Sequence, residues 1–386
     1  MVKLILLGLL AGAFFSSTFI LNEVMSAAGG HWFWSASLRY VFMLLMVTAL
    51  IAMQYGFSRI KELMTIFRQH LGFWCITGSI GFGLFYTGIC YAADHVAGWV
   101  VAATFMFTVV TSLLVLLAFG QRFDKKFIIY ALLVFVGVVM VNVSEGLHAA
   151  SAPDTNAVPM IDMLLYGALP ALVAAFSYPI GNQLVWQVSY NARKQQADLR
   201  TAKEKIDLNE ISEKTSALIT EAPALPADID QTVDMNQTHH ASSTAHSNQT
   251  SSPSFLQNLI ARIPAIETNL LQNAFNKVWL MTLGSLPFWL VLGLIVRPDM
   301  PDTSQVFNTL LVALLAGVGA TSIFLYAREK AETSSEVAGV DATQASEVIF
   351  ALIGGMLLLN NSLPPAMGLF GILLIIIGLV LFAKDG

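Results

Sequence analysis

Residues 191–214 read NARKQQADLRTAKEKIDLNEISEK, and residues 232–254 read TVDMNQTHHASSTAHSNQTSSPS. The first stretch is rich in charge and compatible with a helix. The second consists mostly of Ser, Thr, Asn, Gln and His, with almost no apolar residue to bury, and such a composition predicts disorder. Both belong to one polar run, residues 187–273. A run of this kind does not lie in hydrocarbon, so we expect it to lie in water between membrane-embedded blocks.

The composition of the whole chain indicates a polytopic membrane protein. Of its 386 residues, 56% are hydrophobic and 12% are charged, which is too apolar for a soluble domain. A membrane-spanning helix needs about 20 mostly apolar residues. By that measure the sequence predicts ten helices, at 4–24, 32–52, 71–91, 97–119, 127–143, 161–186, 275–296, 307–327, 337–359 and 365–383. The expected fold is therefore all-α.

The predicted connections divide into two sets by charge. Lys and Arg recur between spans two and three, between four and five, at the start of the polar run, and between eight and nine. The connections at 25–31, 92–96, 144–160 and 359–364 contain no Lys or Arg, and Arg297 alone departs from this pattern. The positive-inside rule then places both termini and residues 187–273 in the cytoplasm.

Five predicted spans lie in residues 1–150 and five in residues 160–186 with 274–386, so the polar run is an insertion between spans six and seven. Because five is odd, two related halves would enter the membrane in opposite senses, as in many secondary transporters. A shift of about 160 residues pairs Asn22 with Asn182, and a shift near 240 pairs Thr104 with Thr343. The sequence therefore predicts two inverted five-helix repeats.

Glu347 is the leading candidate for a functional residue, because an ionisable side chain inside a span normally faces a cavity or a partner. Helical spacing places Thr343 and Gln344 on the same face. This face could bind substrate or a proton. The alternatives are an interhelical hydrogen bond, or a span shifted so that Glu347 lies nearer the cytoplasm.

Other polar residues in the spans are candidates for lining the same site. Thr104 and Thr108 lie on a hydroxyl stripe of span four that would face Glu347, although such a stripe also serves helix packing. Asn22, Asn182 and Tyr178 are candidates for polar and aromatic lining.

Glu23 and Arg39 lie near the outer ends of spans one and two. An ion pair between them would lower the cost of burying both charges. Such a charged outer contact could be structural, a gate, or the anchor for an anionic group of a substrate.

Several chemistries find no support in the sequence. It has no glycine-rich loop followed by Lys-Ser/Thr for ATP, so we expect no cofactor. His239, His240 and His246 lack ligand spacing to Cys or carboxylates, so no metal site is predicted. The expected partners are a small-molecule substrate, protons and the lipid bilayer, and not a nucleic acid.

Short motifs in both halves resemble the drug/metabolite transporter superfamily. They are FGQRF at 119–123 with ALLVFVGV at 131–138, LRY at 38–40, FSYP at 176–179 with Asn182, and LPP at 363–365 followed by spaced glycines. Gln121 stands where the superfamily usually has Glu. The most similar branch is the one described as multidrug-resistance efflux transporters. This resemblance implies ten helices and ion-driven export from a bacterial inner membrane.

The hypothesis is therefore a secondary transporter that exports a small organic molecule by proton antiport. The alternative from another class is a membrane scaffold that does not transport and whose cytoplasmic insertion recruits a partner. A membrane enzyme is disfavoured because no nucleophile and base pair is evident.

Deleting residues 201–252 distinguishes the transporter from the scaffold. The transporter is expected to keep its activity without this segment, because its site lies in the spans. The measurement compares substrate flux in vesicles that contain equal amounts of the full chain or the deletion variant. Loss of flux in a correctly inserted deletion variant would favour the scaffold.

Overall fold

The computed structural model describes residues 2–120, 125–150, 159–220, 262–266, 268–331, 342–385 and the single residues 260, 336, 339 and 340. Every regular element in this part of the chain is helical, and it contains no strand. The predictions for Gln121, for the tract 232–254 and for its three histidines lie outside the described residues.

Nine of the described helices are long and apolar enough to cross a membrane, which is the architecture of a multi-pass membrane protein. In chain order, the helices are α1 (Val2–Ala27), α2 (Trp32–Tyr55), α3 (Phe57–Gln69), α4 (Leu71–Ala93), α5 (Gly98–Ala118), α6 (Lys125–Ala150), α7 (Met160–Gln196), α8 (Ala274–Val296), α9 (Thr303–Arg328), α10 (Thr343–Leu359) and α11 (Ala366–Asp385). The nine exclude α3 and α10. Helical backbone continues beyond α7 to Thr220.

The chain forms two compact units. One comprises Met1–Gln187 with Thr268–Gly386, and it holds the spans described below. The other is Val188–Glu267, within which the Asn191 side-chain amide donates a hydrogen bond to the Ile263 carbonyl oxygen, at 3.0 Å.

Of the span predicted at 337–359, the described residues form a continuous helix from Thr343 to Leu359. One element differs from the sequence prediction. Helix α3 was not predicted, because its apolar residues form one face rather than a long run. Leu63, Ile66 and Phe67 on that face are buried.

Three of the spanning helices contain wider π-helical turns. These stretches are Ser79–Leu84 in α4, Met163–Ala168 in α7 and Ala313–Ala320 in α9. A π-helical turn accommodates an extra residue and leaves some backbone hydrogen bonds displaced from the α-helical pattern. The sequence alone does not reveal a π-helical turn, because the run of hydrophobic residues continues unchanged through it.

The spans pack in a regular set of pairs. Helix α1 contacts α9 and α10, and α2 contacts α8 and α9. Helix α4 contacts α8, α5 contacts α10, and α6 contacts α11. Gly88 in α4 lies against Pro170 and Ala174 of α7, and the Thr111 hydroxyl in α5 donates to the Ala175 carbonyl oxygen of α7. Helix α7 therefore contacts both α4 and α5.

Helices α4 and α8 approach each other backbone to backbone. A Cβ atom at Gly284 would overlap the carbonyl oxygen of Trp74, and one at Gly78 would overlap that of Met281. Only glycine fits at such a crossing, and small residues are the usual means of close helix packing in membranes. This contact therefore holds the first half of α4 against α8.

Replacing Gly284 with Ala is expected to lower the thermal-unfolding midpoint of the detergent-purified protein. The added methyl group meets backbone atoms that cannot rotate away, and overpacking of this kind costs about 1–3 kcal/mol. The matched control is Gly72→Ala, since a Cβ atom at Gly72 has nothing within 4 Å. Equal midpoints for the two variants would contradict the close contact.

Candidate functional site

A cavity of about 1080 Å³ lies among the spans. Its wall is mostly apolar and aromatic, with Phe15, Phe19, Tyr40, Phe82, Phe85, Phe105, Tyr178, Trp186 and Phe382. Leu116, Arg328 and Ala383 also line it, near the C-terminal ends of α5, α9 and α11, and Lys277 lines it in the first turn of α8. The cavity therefore extends from the middle of the bundle to the end where these residues lie.

Glu347 is the one acidic residue in the wall of this cavity among the described residues. Its side chain is 8% exposed, and it makes no hydrogen bond or ion pair within the described part of the chain. It lies in the first turn of the α-helical part of α10, Ser346–Leu359. The alternative of an interhelical hydrogen bond is not formed among the described residues.

The other two residues predicted on this face have different surroundings. Gln344 is exposed and lines the cavity beside Glu347. Thr343 is buried, donates a hydrogen bond to the Val340 carbonyl oxygen at 2.6 Å, and packs against Gly8 of α1. Thr343 therefore stabilises the start of α10 and is not in the cavity wall.

Arg39 also lines the cavity, with a side chain that is 8% exposed. One terminal guanidinium nitrogen donates to the Thr18 hydroxyl at 3.3 Å, and the guanidinium carbon lies 4.0 Å from the centre of the Tyr86 ring. Its buried Nε atom has no hydrogen-bond partner. The guanidinium group is thus positioned by α1 and α4 but is not neutralised by a carboxylate within the described residues.

The ion pair predicted between Glu23 and Arg39 is wrong for the described structure. The Glu23 carboxylate accepts hydrogen bonds from the Gly98 backbone N–H at 2.7 Å and from the Asn361 side-chain amide at 2.6 Å. Gly98 begins α5, and a carboxylate at a helix N-terminus is favoured by the free N–H groups and the helix dipole. Glu23 therefore joins α1, α5 and the connection after α10.

This contact belongs to the end of the bundle opposite the cavity mouth. There the Gln305 side-chain amide donates to the His31 carbonyl oxygen and to the Ser35 hydroxyl, at 2.8 and 2.9 Å. At the same end, burial raises the pKa of the Asp94 carboxyl above its usual range, although a hydrogen bond from Ser26 lowers it in part. A set of polar contacts thus closes this end.

Asn22 and Asn182, predicted to be equivalent, lie in different environments. Asn22 is buried and donates to the Tyr86 hydroxyl at 3.1 Å, so it supports the ring that faces Arg39. Asn182 is exposed in the cavity wall, and Tyr178 lines the same wall beside Phe85, with their ring centres 5.1 Å apart.

The predicted hydroxyl stripe of α5 is divided between packing and lining. Thr104 is buried and accepts a hydrogen bond from the Asn142 side-chain amide at 2.8 Å, which joins α5 to α6. Thr108 lines the cavity, but its hydroxyl oxygen is buried and has no hydrogen-bond partner among the described residues. The packing explanation thus fits Thr104.

Sequence reasoning missed Lys277 and Arg328, the basic residues near the cavity mouth. Each makes a further interaction in the structure. The sequence shows positive charge clustered at one set of helix ends, which could have indicated these two residues. That clustering was used only to predict the orientation in the membrane. Among the described residues, no three His, Cys, Asp or Glu side chains lie together in a way that could hold a metal ion.

A multi-pass helical protein with a large cavity in its bundle, closed at one end and carrying charged residues in its wall, has the architecture of a membrane transporter. Over residues 2–385 the chain matches the family described as "EmrE: Putative multidrug resistance efflux transporter". The protein belongs to this family, and thus to the drug/metabolite transporter superfamily.

Two bacterial relatives have similar sequences along most of this chain. "Uncharacterized protein YjlA" of Bacillus subtilis (strain 168) is 27% identical over 98% of this chain and 94% of its own length. A protein of Shouchella clausii, "Uncharacterized 42.1 kDa protein in intracellular alkaline protease 3'region", is 28% identical over 85% of this chain and 65% of its own length. Neither printed name states a substrate.

Replacing Glu23 with Ala is expected to destabilise the closed end of the bundle. The change removes two hydrogen bonds and leaves the Gly98 N–H without its acceptor, a loss of about 1–3 kcal/mol. The measurement is the thermal-unfolding midpoint of the purified protein. Glu62→Ala is the control, because Glu62 pairs with Arg59 at 3.3 Å on the exposed surface, where ion pairs contribute about 0–1 kcal/mol. An unchanged midpoint for Glu23→Ala would argue against this contact.

Proposed function

We propose that the protein is a secondary active transporter that exports a small organic molecule in exchange for protons, by alternating access. The observation that carries this proposal is Glu347, a buried carboxyl group in the cavity wall with no hydrogen-bond or ion-pair partner among the described residues. A charged group is costly inside a membrane and usually marks a path for substrate or protons.

Glu347 would bind either a proton or the cationic group of a substrate, and the two would compete. This competition couples their movements, because the carboxyl group releases one ligand in order to take the other. Among the described residues, the other titratable side chains that line the cavity are Arg39, Tyr40, Tyr178, Lys277 and Arg328. None of them is a carboxylic acid, so Glu347 is the candidate for the proton-exchanging group.

We propose that α10 completes a set of ten spans in two inverted repeats. The proposed counterparts are α1 with α7, α2 with α8, α4 with α9, α5 with α10, and α6 with α11. Under this pairing, the contacts of α1 with α9 and α10 correspond to the contacts of α7 with α4 and α5. In the same way, the contact of α2 with α9 corresponds to the contact of α8 with α4.

A second feature supports the same repeat. The π-helical stretches Ser79–Leu84 and Ala313–Ala320 lie in α4 and α9, which are proposed counterparts. The site would then lie between two halves, residues 1–150 and residues 160–186 with 274–386, as in other transporters with inverted repeats.

The charge of the connections supports an orientation with the cavity mouth in the cytoplasm. Lys277 and Arg328 lie near that mouth, and the positive-inside rule places basic helix ends on the cytoplasmic side. Both termini and residues 187–273 would then be cytoplasmic. The bacterial relatives support a bacterial inner, or plasma, membrane as the location. The structure would represent the state from which a substrate is loaded for export.

Membership of a transporter family favours transport over catalysis. The scaffold hypothesis does not require a large cavity with a buried acid in its wall, so the transporter explains more of the described structure. The identity of the molecule is addressed in the next subsection.

Replacing Glu347 with Gln is expected to abolish proton-coupled transport while leaving the protein folded. The amide has nearly the same shape but cannot release a proton. Losing a charge-assisted hydrogen bond to a substrate also costs about 1.5–3 kcal/mol, which corresponds to a binding loss of roughly tenfold or more. The measurement is substrate-dependent proton movement in liposomes, followed with an internal pH dye. Thermal-shift binding to cationic drugs, amino acids and nucleosides first selects the substrate.

The control is Glu62→Gln, because Glu62 is exposed and does not line the cavity. It is expected to behave as the unmodified protein. Unchanged proton coupling in Glu347→Gln would refute the role of this carboxyl group in the exchange.

A further inference from the structure

We infer that the transported molecule is a small amphipathic zwitterion, whose carboxylate binds Arg39, whose ammonium group binds Glu347 and whose apolar part packs against the aromatic wall. This inference rests on the proposed function and narrows its substrate class.

Arg39 carries the first step of the argument. A guanidinium group cannot be neutralised by losing its proton in a protein, so its charge must be compensated by a partner. Its contacts are the neutral Thr18 hydroxyl and the face of the Tyr86 ring, and its Nε atom has no hydrogen-bond partner. A buried charge without a counter-ion is strongly unfavourable. The group therefore lies ready for an anion that enters through the cavity.

The chemistry of Arg39 indicates which anion it would hold. A guanidinium group presents parallel N–H donors that match the two oxygens of a carboxylate. Thr18 and Tyr86 hold the group from two different helices, so less conformational entropy is lost when an anion binds. Arg39 is thus a preformed carboxylate site.

Arg39 and Glu347 do not satisfy each other. Both are described and both line the cavity, yet no ion pair joins them, so their charged atoms lie more than 4.0 Å apart. Tyr178 lines the same cavity, so both charges face a shared space with an aromatic wall. A molecule that carries an anionic and a cationic group can satisfy both residues at once.

The charge of the whole wall argues against a simple lipophilic cation. Among the described residues the wall contains three basic residues, Arg39, Lys277 and Arg328, and one acidic residue, Glu347. A lone cation would pair with Glu347 and leave Arg39 without an anion. A zwitterion pairs with both Arg39 and Glu347.

The rest of the wall fits an apolar side group. The Tyr40 and Phe82 rings are stacked with centres 5.1 Å apart, and the Phe85 and Phe105 rings are 5.3 Å apart. Together with Tyr178 they form an aromatic surface beside the two charges. Such a surface binds an aliphatic or aromatic group, as in an amino acid with a large apolar side chain.

The test measures binding of matched probes to the full-length protein in detergent, by calorimetry and thermal shift. Phenylalanine and leucine carry both charges, phenylalanine methyl ester lacks the anion, and 3-phenylpropionate lacks the cation. Removing either charge is expected to weaken binding by roughly tenfold or more, since each charged hydrogen bond contributes about 1.5–3 kcal/mol. These comparisons need no substitution in the protein.

Variants then assign the charges to residues. Arg39→Gln is expected to lose the preference for phenylalanine over its ester, and Arg39→Lys to recover part of it, because the positive charge is kept but the paired donors are not. Glu347→Gln is expected to lose the preference for phenylalanine over 3-phenylpropionate. Arg59→Gln, at a half-buried position that does not line the cavity, is the control and is expected to bind all probes as the unmodified protein does.

The outcomes separate this inference from the proposed function. No binding of the amino acids at millimolar concentration, or ester binding equal to that of phenylalanine, would overturn the zwitterion. If a lipophilic cation is exchanged for protons and Arg39→Gln has no effect, the inference fails and the exporter stands. If the zwitterion binds as described but its transport moves no protons, antiport fails and the assignment of the substrate class stands.

Discussion

The cost of placing a charge inside a membrane is the constraint on which the rest of this structure depends. Arg39 and Glu347 are each 8% exposed, and neither has an ion-pair partner among the described residues. Such groups are tolerated only where water or a ligand can reach them. The cavity provides this access from one end of the bundle, while the hydrogen bonds of Glu23 and Gln305 close the other end. The charges of Arg39 and Glu347 thus require access from water, and the polar contacts of Glu23 and Gln305 restrict that access to one end of the bundle.

The positions of most spans could be predicted from sequence, because a run of about 20 apolar residues is a strong signal that needs no tertiary information. Glu347 could be identified as a candidate functional residue because acidic residues are rare in such runs. The partners of Glu23 could not be predicted, because Gly98 and Asn361 are 75 and 338 residues away along the chain. Helix α3 was missed because its apolar residues are periodic rather than continuous. Thr104 and Thr108 belong to the same predicted hydroxyl stripe, but Thr104 binds Asn142 and Thr108 lines the cavity. The sequence alone could not distinguish these surroundings.

The family description and the cavity give complementary information about function. The description indicates efflux, and it leaves open which feature of a molecule is recognised. The cavity wall carries opposite charges beside an aromatic surface, and these are the features from which we infer a zwitterionic substrate. Residues at the site also depend on a supporting layer: Asn22 and Thr18 contact Tyr86 and Arg39 from α1. A change in α1 can therefore alter recognition without touching a bound molecule.

The close crossing of α4 and α8 has a mechanical consequence. Gly78 fixes the first half of α4 to α8, and the π-helical stretch Ser79–Leu84 follows immediately. Wider turns of this kind are common points of bending in helices. The π-helical stretch thus separates two halves of α4: the first packs against α8, and the second, from Phe85 to Ala93, packs against α2 and α7. Phe85 and Tyr86 begin the second half, so a change in the angle between the halves would move the rings beside Tyr178 and Arg39 together.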